Sequence, residues 1–218
     1  MQKKIIAACV SLVAFAAVAV MPAVASATVG LTEPANTRLA VGALVEATNT
    51  ESIVFVSNLG DVTCTKSTLT GDVKENTTTS VRVTITKATF TNNEGGQCTS
   101  SFGNWTVTTE IAKVDWCITS TETGKWHLQA NACGNTGTAL NFTLENAFTG
   151  ECKYTRSHAT GPVRGTYTSG GNTLSITNTV AGSGFVKSSG GFACPSEGTL
   201  RGAYTLETDE TFTHIIVD

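Results

Sequence analysis

The chain has 218 residues, a formal net charge of −3 and only 14% charged residues. This length fits one large β domain or two small ones, and it is ample for a hydrophobic core. The near-neutral balance excludes the basic surface that nucleic-acid binding requires, so we expect no nucleic-acid partner.

The first 27 residues have the pattern of a secretory signal peptide. Lys3 and Lys4 precede an apolar run that Pro22 ends, and the small residues Ala25-Ser26-Ala27 follow it. The run is short for a transmembrane anchor, and no later run is long enough to span a bilayer. We therefore predict cleavage after Ala27 and a secreted, extracellular protein without a stable transmembrane segment.

The rest of the chain, residues 28–218, is predicted to consist of β-strands. The sequence contains 39 threonines and only four prolines, and β-branched threonine favours a pleated sheet with one wet face. Alternation of apolar and polar residues predicts strands in chain order at Leu44–Thr48, Ile53–Ser57, Val62–Lys66, Val81–Thr86, Trp105–Thr109, Trp126–Ala130, Leu140–Leu144, Cys152–Arg156, Val163–Thr168, Leu174–Asn178 and Leu200–Glu207. The glycine-rich stretch Gly182–Gly191 is interpreted as a flexible hairpin loop. The pattern predicts an all-β, antiparallel β-sandwich or barrel with about 10–13 strands.

A weak internal repeat crosses this β region. Residues 60–73 align without gaps with residues 150–163, and both segments begin with Gly and an acidic residue and later contain Thr-Gly. The alignment suggests two duplicated halves near 40–110 and 139–210. Because no proline-rich or charged linker separates the halves, we predict a single domain over residues 28–218.

Six cysteines remain after the predicted cleavage, and an even number in an exported chain indicates disulfides. They permit fifteen pairings. Cys64 and Cys152 lie on nearly equivalent strands of the repeat, and Cys98 and Cys194 each follow the second hairpin of their half. The repeat therefore favours Cys64–Cys98 and Cys152–Cys194, which leaves Cys117–Cys133 between the halves.

Motifs for catalysis, metal binding or cofactor binding are not recognisable. The histidines His127, His158 and His214 form no metal or triad pattern, and we interpret them as solvated. Pairs drawn from Glu110, Asp115 and Glu122 could act as glycosidase acids only in principle. The acidic cluster Glu207, Asp209 and Glu210 lacks calcium-loop spacing and is interpreted as a solvated edge. We therefore predict no catalytic, cofactor-binding or metal site.

The three tryptophans are the best candidates for a ligand contact. Exposed indoles on a β face can stack on sugar rings. The alternation around all three tryptophans, Trp105, Trp116 and Trp126, favours burial. Trp116 lies beside Cys117 between the two halves, where a break in alternation would turn it outward. We therefore assign a tentative ligand-stacking role to Trp116 alone.

Several motifs together resemble a group of secreted, threonine-rich proteins that occur in many copies in soil actinobacteria. The residues that carry the resemblance are Gly60-Asp61-Val62-Thr63-Cys64, Leu69-Thr70-Gly71, Cys98-Thr99-Ser100, Trp116-Cys117, Cys133-Gly134, Cys152-Lys153-Tyr154, Cys194 to Leu200 and Tyr204-Thr205-Leu206-Glu207. The resemblance covers most of residues 28–218. It implies export and a β fold, and it brings no activity, cofactor or partner.

The functional expectation that follows is a secreted, non-catalytic extracellular or cell-surface protein. Its hydroxyl-rich β surface and three tryptophans would suit a polymer such as cell-wall glycan or another extracellular polysaccharide. Two alternatives stay open at this point, namely a secreted hydrolase with an unobvious site and a membrane-active β protein whose long threonine-rich strands insert into lipid.

Overall fold

A computed structural model describes residues 29–33, 37–111, 116–130, 132–134, 139–157, 161–177, 184–208 and 216–217. The predicted signal peptide lies outside these residues. Their secondary structure consists of strands, namely β1 (Leu31–Thr32), β2 (Leu44–Ser57), β3 (Val62–Cys64), β4 (Lys66–Asn76), β5 (Val81–Thr91), β6 (Cys98–Ser100), β7 (Gly103–Thr109), β8 (Trp116–Glu122), β9 (Lys125–Ala130), β10 (Ala139–Asn146), β11 (Gly150–Ser157), β12 (Val163–Tyr167), β13 (Thr173–Thr177), β14 (Phe185–Ser189), β15 (Glu197–Thr208) and β16 (Ile216–Val217). In this part of the chain there is no helix that is long and apolar enough to cross a membrane.

Fourteen of these strands form a closed antiparallel ring. Their order is β10-β11-β14-β15-β13-β12-β9-β8-β5-β4-β2-β3-β6-β7, and β7 closes the ring by pairing with β10. A further pairing between β15 and β2 crosses the ring and divides it into two smaller ones. Ring A contains β2, β4, β5, β8, β9, β12, β13 and β15, and ring B contains β2, β3, β6, β7, β10, β11, β14 and β15. The predicted all-β antiparallel class is confirmed.

The long strands β2 and β15 belong to both rings. Residues 44–48 of β2 pair with β4 in ring A, and residues 53–55 pair with β3 in ring B. β15 pairs with β2 along almost its whole length, with a register irregularity around Gly202. Gly202 has φ +146°, and a Cβ there would collide with Ile53. Glycine therefore permits the bulge at which β15 passes from one ring to the other.

The apolar core is one continuous cluster that extends through both rings. Ring A buries aliphatic residues such as Val45, Val83 and Leu128. Ring B buries four aromatic rings, whose centroids lie 4.8–5.3 Å apart where they touch. Those four are Phe55, Phe142, Tyr154 and Phe185. Offset and edge-to-face aromatic contacts of this kind add to the stabilisation by buried area.

Threonines line the wet face of the sheet, as their propensity predicts. In ring A five of them lie in register across neighbouring strands, each paired with the next. The row consists of Thr173, Thr205, Thr48, Thr68 and Thr89. The hydroxyls of Thr68 and Thr89 form a hydrogen bond of 2.6 Å. Such cross-strand pairs stabilise a sheet that water contacts on one side.

The strand predictions need two corrections. Leu44–Thr48 and Ile53–Ser57 are parts of the single strand β2, and Val62–Lys66 is divided between β3 and β4. Gly182–Gly191 is not a loop throughout, because it contains β14. The described residues form sixteen strands, more than predicted, since β1, β4, β6, β8, β14 and β16 were not anticipated.

Three disulfides join Cys64 to Cys98, Cys117 to Cys133 and Cys152 to Cys194. These are the pairs that the repeat favours. The strand pairings of the two halves also correspond, because β3 pairs with β6 in the first half and β11 pairs with β14 in the second. Three disulfides are typical of proteins that fold in an oxidising environment such as the extracellular space.

Candidate functional site: an apolar cleft at the open end of ring B

Ring B has four hairpins, and all of them turn at the same end of the molecule. They connect β2 to β3, β6 to β7, β10 to β11 and β14 to β15. Each turn carries one exposed apolar side chain, which is 41% exposed for Leu59, 55% for Phe102, 83% for Phe148 and 100% for Phe192. We call these four residues the hairpin rim. Since isolated exposed hydrophobic residues are common but clustered ones mark interaction surfaces, the rim is the leading candidate site.

The opposite end of the molecule is closed, and the exposed large apolar residues near it are Val41 and Leu44, which are 69% and 43% exposed. The hairpins of ring A turn there through Thr77–Ser80, Thr123–Gly124 and Thr168–Asn172, which contain no large apolar residue. Residues 29–33 and 37–43 pack across this end, with Leu31 and Leu39 buried. The Asn76 side chain fixes them by donating to the carbonyl of Leu31 at 2.7 Å and accepting from its amide at 3.0 Å. A large apolar residue on every hairpin is therefore a feature of ring B and not of ring A.

The hairpin rim surrounds a cleft of about 280 Å³. Its inner wall is formed by buried core residues of ring B, namely Phe55, Val62, Trp105 and Leu144. The other lining residues are Ser57, Gly60, Ser100, Thr149, Ala193 and Pro195. Among the described residues that line the cleft there is no Asp, Glu, His, Lys or Arg. The cleft therefore offers a ligand an apolar and uncharged surface.

The few hydroxyl groups in the cleft already bond to their own hairpins. Ser57 donates to the carbonyl of Gly60 at 2.6 Å. Ser100 accepts from the indole of Trp105 at 2.8 Å, and Thr149 donates to the Asn146 side chain at 2.8 Å. Because these groups have local partners, they contribute little polar recognition of a ligand.

Asn146 connects two of the hairpins that carry rim residues. Its side-chain oxygen accepts from the amides of Phe148 and Thr149, at 3.0 and 2.6 Å, and its nitrogen donates to the carbonyl of Phe102 at 3.5 Å. The ring of Phe102 also lies close over Gly60, where a Cβ would be 3.1 Å from it. Three of the four turns are thereby held in fixed relation.

The turn that carries Phe192 is anchored by covalent and ionic groups. Cys194 in this turn is bonded to Cys152 on β11. The Lys187 ammonium donates to the carbonyls of Gly191 and Cys194, at 3.1 and 3.2 Å, and buried Tyr154 donates to the carbonyl of Pro195 at 3.1 Å. The rim is therefore preorganised rather than formed when a ligand arrives.

The predicted stacking residue Trp116 lies in the core and not at this cleft. It is 3% exposed, and Trp105 and Trp126 are each 4% exposed. An indole can stack on a sugar only through an open ring face, so none of the three tryptophans presents such a face. Trp116 is the first residue of β8, and its side chain is buried there.

Two of the residues considered for catalysis, His127 and Glu122, lie near enough to affect each other's pKa. His127 lies half-buried on the outer face of β9, and burial and the nearby Arg164 lower its pKa. Glu122 is paired with Lys125 at 2.6 Å. His158, His214, Asp115, Asp209 and Glu210 lie outside the described residues. No group of three metal-binding side chains occurs in the part of the chain that the structure describes.

Sequence reasoning missed the rim, although one signal was present. Phe102, Phe148 and Phe192 stand next to turn residues, as in Ser101-Phe102-Gly103 and Gly191-Phe192-Ala193. Large apolar residues are unusual in turns between alternating strands, where Gly, Asn, Asp and Ser prevail. These three residues come together through pairings between strands that are far apart in the sequence.

Comparisons with protein-family models, with curated proteins and with solved structures gave no match to this chain.

Proposed function

We propose that the protein is a secreted, non-catalytic binding protein that holds an uncharged apolar ligand in the cleft inside the hairpin rim. The observation that carries this proposal is the placement of one exposed apolar residue on each of the four ring B hairpins. The three disulfides support an extracellular site of action. The signal-peptide pattern of residues 1–27 and the resemblance to secreted actinobacterial proteins support export.

The chemistry of the cleft restricts the ligand. A volume of about 280 Å³ lies near the lower limit of small-molecule pockets, so the ligand or its bound part is compact. The uncharged lining and the locally bonded hydroxyls would leave a charged or highly hydroxylated ligand without partners, which carries a desolvation penalty. A small aromatic molecule or a short acyl chain fits these requirements.

This proposal replaces the expected role in binding cell-wall glycan. That expectation depended on an exposed indole, and all three indoles are buried. A hydrolase function has no support in the cleft, since the residues lining it in the described structure supply no acid, base or charged group.

The proposal is tested by titration with N-phenyl-1-naphthylamine, an uncharged apolar dye whose fluorescence rises in dry surroundings. We expect saturable binding to the wild-type protein. Ala193→Phe places a ring in the cleft from a half-buried position and should weaken dye binding about tenfold or more. Val41→Phe is the matched control, because it adds the same side chain to an exposed position at the closed end.

Absence of dye binding to the wild-type protein would overturn the proposal. Equal binding to wild type and Ala193→Phe would overturn it as well, because the dye would then lie outside the cleft. Insoluble cell-wall glycan serves as a second probe, and retention of the wild-type protein on glycan that Ala193→Phe abolishes would contradict an apolar ligand.

A further inference from the structure

We infer that the hairpin rim docks on a lipid surface, so that the cleft opens toward the acyl chains. The inference rests on the proposed function, because it names the surface from which the cleft would take its apolar ligand. Three observations carry it: the apolar area of the rim, the charges around it and the fixed geometry of its hairpins.

The area of the rim exceeds what a ligand inside the cleft could cover. Phe102, Phe148 and Phe192 are 55%, 83% and 100% exposed. At about 200 Å² for a phenylalanine, these side chains present roughly 500 Å² of apolar surface to water. A ligand that fits a cleft of about 280 Å³ contacts only the inward sides of these rings. Their outward sides need a larger partner.

A second protein is a poorer match for this surface than a lipid layer. Stable protein interfaces bury about 800 Å² per partner, and they need complementary shape over that area. The rim offers less area, and it is divided among four separate turns around an opening. Acyl chains adapt to any shape and require no hydrogen-bond partners, so projecting aromatic side chains insert among them without a matching surface.

The charged groups close to the rim include two ion pairs and a lysine that bonds to carbonyls, alongside the exposed carboxylates of Glu145 and Glu197. Lys153 pairs with Glu151 at 3.1 Å, and Arg201 pairs with Asp61 at 3.6 Å. Lys187 donates to two carbonyls of the turn that carries Phe192. This arrangement favours docking through apolar insertion over attraction to anionic headgroups. Docking should therefore occur on zwitterionic lipid and tolerate high salt.

The fixed hairpins lower the conformational cost of docking. Asn146, the disulfide between Cys152 and Cys194 and the bond from Tyr154 to Pro195 hold three of the four turns. The rim side chains thus enter the lipid from positions that they already occupy, and little backbone entropy is lost on binding.

The test is flotation of the full mature protein with phosphatidylcholine vesicles. We expect the wild-type protein to float with the vesicles, also in about 0.5 M NaCl, where charge interactions are screened within a few ångströms. The double variant Phe148→Ser/Phe192→Ser should lose about tenfold or more of its vesicle affinity. The control Val41→Ser/Val186→Ser removes two exposed apolar side chains elsewhere and should bind like wild type.

Circular dichroism and the thermal midpoint serve to establish that these exposed substitutions leave the fold intact. Four results would overturn the inference: no flotation of wild type, equal flotation of the Phe148→Ser/Phe192→Ser variant, flotation only with phosphatidylglycerol that salt abolishes, or a dimer in lipid-free solution that this variant dissociates. The dimer would assign the rim to a second copy of the chain.

The dye titration separates this inference from the proposed function. In one outcome the dye binds, Ala193→Phe prevents its binding, and the protein does not bind vesicles. This outcome supports the proposed function of the cleft and contradicts lipid docking. If vesicles bind through the rim but the dye does not enter the cleft, the rim is a membrane contact and the proposed function falls.

Discussion

Trp116 lies where ring A and ring B meet. It belongs to β8 of ring A, yet it lines a small internal cavity of about 30 Å³ together with Phe142 and Val107 of ring B. Its indole nitrogen is buried and finds no acceptor among the described residues. The side chain therefore stabilises the fold through its buried apolar area. Burial of its N–H group without an acceptor opposes this, because the group loses its hydration.

We predict opposite outcomes for two substitutions of Trp116. Trp116→Ala removes a buried ring and should lower the free energy of unfolding by about 3–5 kcal/mol. Trp116→Phe keeps most of the apolar area and removes the unpartnered N–H, so it should cost much less. Urea unfolding followed by circular dichroism measures both. A loss of similar size for Phe and Ala would show that the indole nitrogen has a partner.

His127 makes the stability of the fold depend on pH. Burial lowers its pKa below the usual 6.5, and the positive charge of Arg164, its cross-strand neighbour, lowers it further. The unfolded chain therefore binds a proton at a higher pH than the folded chain does. Stability is complete above about pH 6.5 and falls as the pH decreases through this range.

The corresponding prediction compares wild type with His127→Gln at about pH 8 and about pH 5.5. Wild type should lose more unfolding free energy than the variant on acidification, because glutamine does not titrate. Urea midpoints at the two pH values measure the difference, and the other histidines act equally in both proteins. An equal or larger loss in His127→Gln would contradict the lowered pKa.

At the scale of single elements, alternation predicted the strands whose inward residues are large and apolar. β4 was missed because two of its inward residues are Ser67 and Gly71, which give no hydrophobic signal. Ser67 is buried because its hydroxyl bonds to that of Tyr204 on β15 at 2.8 Å. A Cβ on Gly71 would lie 2.7 Å from the Thr84 carbonyl oxygen, so a side chain does not fit. Both reasons lie in contacts with other strands, which the pattern within β4 does not show.

The disulfide pairing could be predicted from the sequence, whereas the cleft could not. The repeat placed Cys64 and Cys152 on equivalent strands, and their partners followed from the same correspondence. The hairpin rim depends on the pairings of β15 with β2 and of β7 with β10, which join strands far apart in the chain. Local pattern contains no information about which distant strands become neighbours.

The disulfides should differ in their effect on the cleft. Removing any of them should cost about 2–5 kcal/mol of stability. The bond between Cys152 and Cys194 also anchors the turn that carries Phe192, so Cys152→Ala/Cys194→Ala should weaken binding of N-phenyl-1-naphthylamine. The bond between Cys117 and Cys133 begins on β8 of ring A, away from the cleft, so Cys117→Ala/Cys133→Ala is the matched control.

Dye titration well below the thermal midpoint of each variant separates the two effects. Equal dye affinity in both disulfide variants would contradict an anchoring role of the Cys152–Cys194 bond. Loss of affinity in both would indicate that global stability, rather than the position of the turn, controls the cleft.

At the scale of the whole molecule, the two rings share one continuous hydrophobic core and their two longest strands. β2 and β15 pair along almost their whole length, and each contributes residues to the core in both rings. Ring A cannot lose β2 without removing the strand that also pairs with β3 of ring B. The shared strands therefore couple the free energies of the two rings.

This coupling predicts a single unfolding transition for the two rings. Trp105 reports on ring B, since it lies on β7 beside the cleft, and Trp126 reports on ring A from β9. Two variants that keep only one of these indoles, with phenylalanine at the other tryptophan positions, give one fluorescent probe per ring. Val83→Ala, a cavity-forming change in the ring A core, is then added to each.

We expect each variant's fluorescence transition to coincide with its circular dichroism transition, as two-state unfolding requires. Val83→Ala should shift the Trp105 signal by the same free energy as the Trp126 signal, although Val83 belongs to the other ring. If Val83→Ala moves only the Trp126 transition, the rings unfold independently. The molecule would then behave as two domains, and the difference between the closed end of ring A and the open end of ring B would be a division between two folding units.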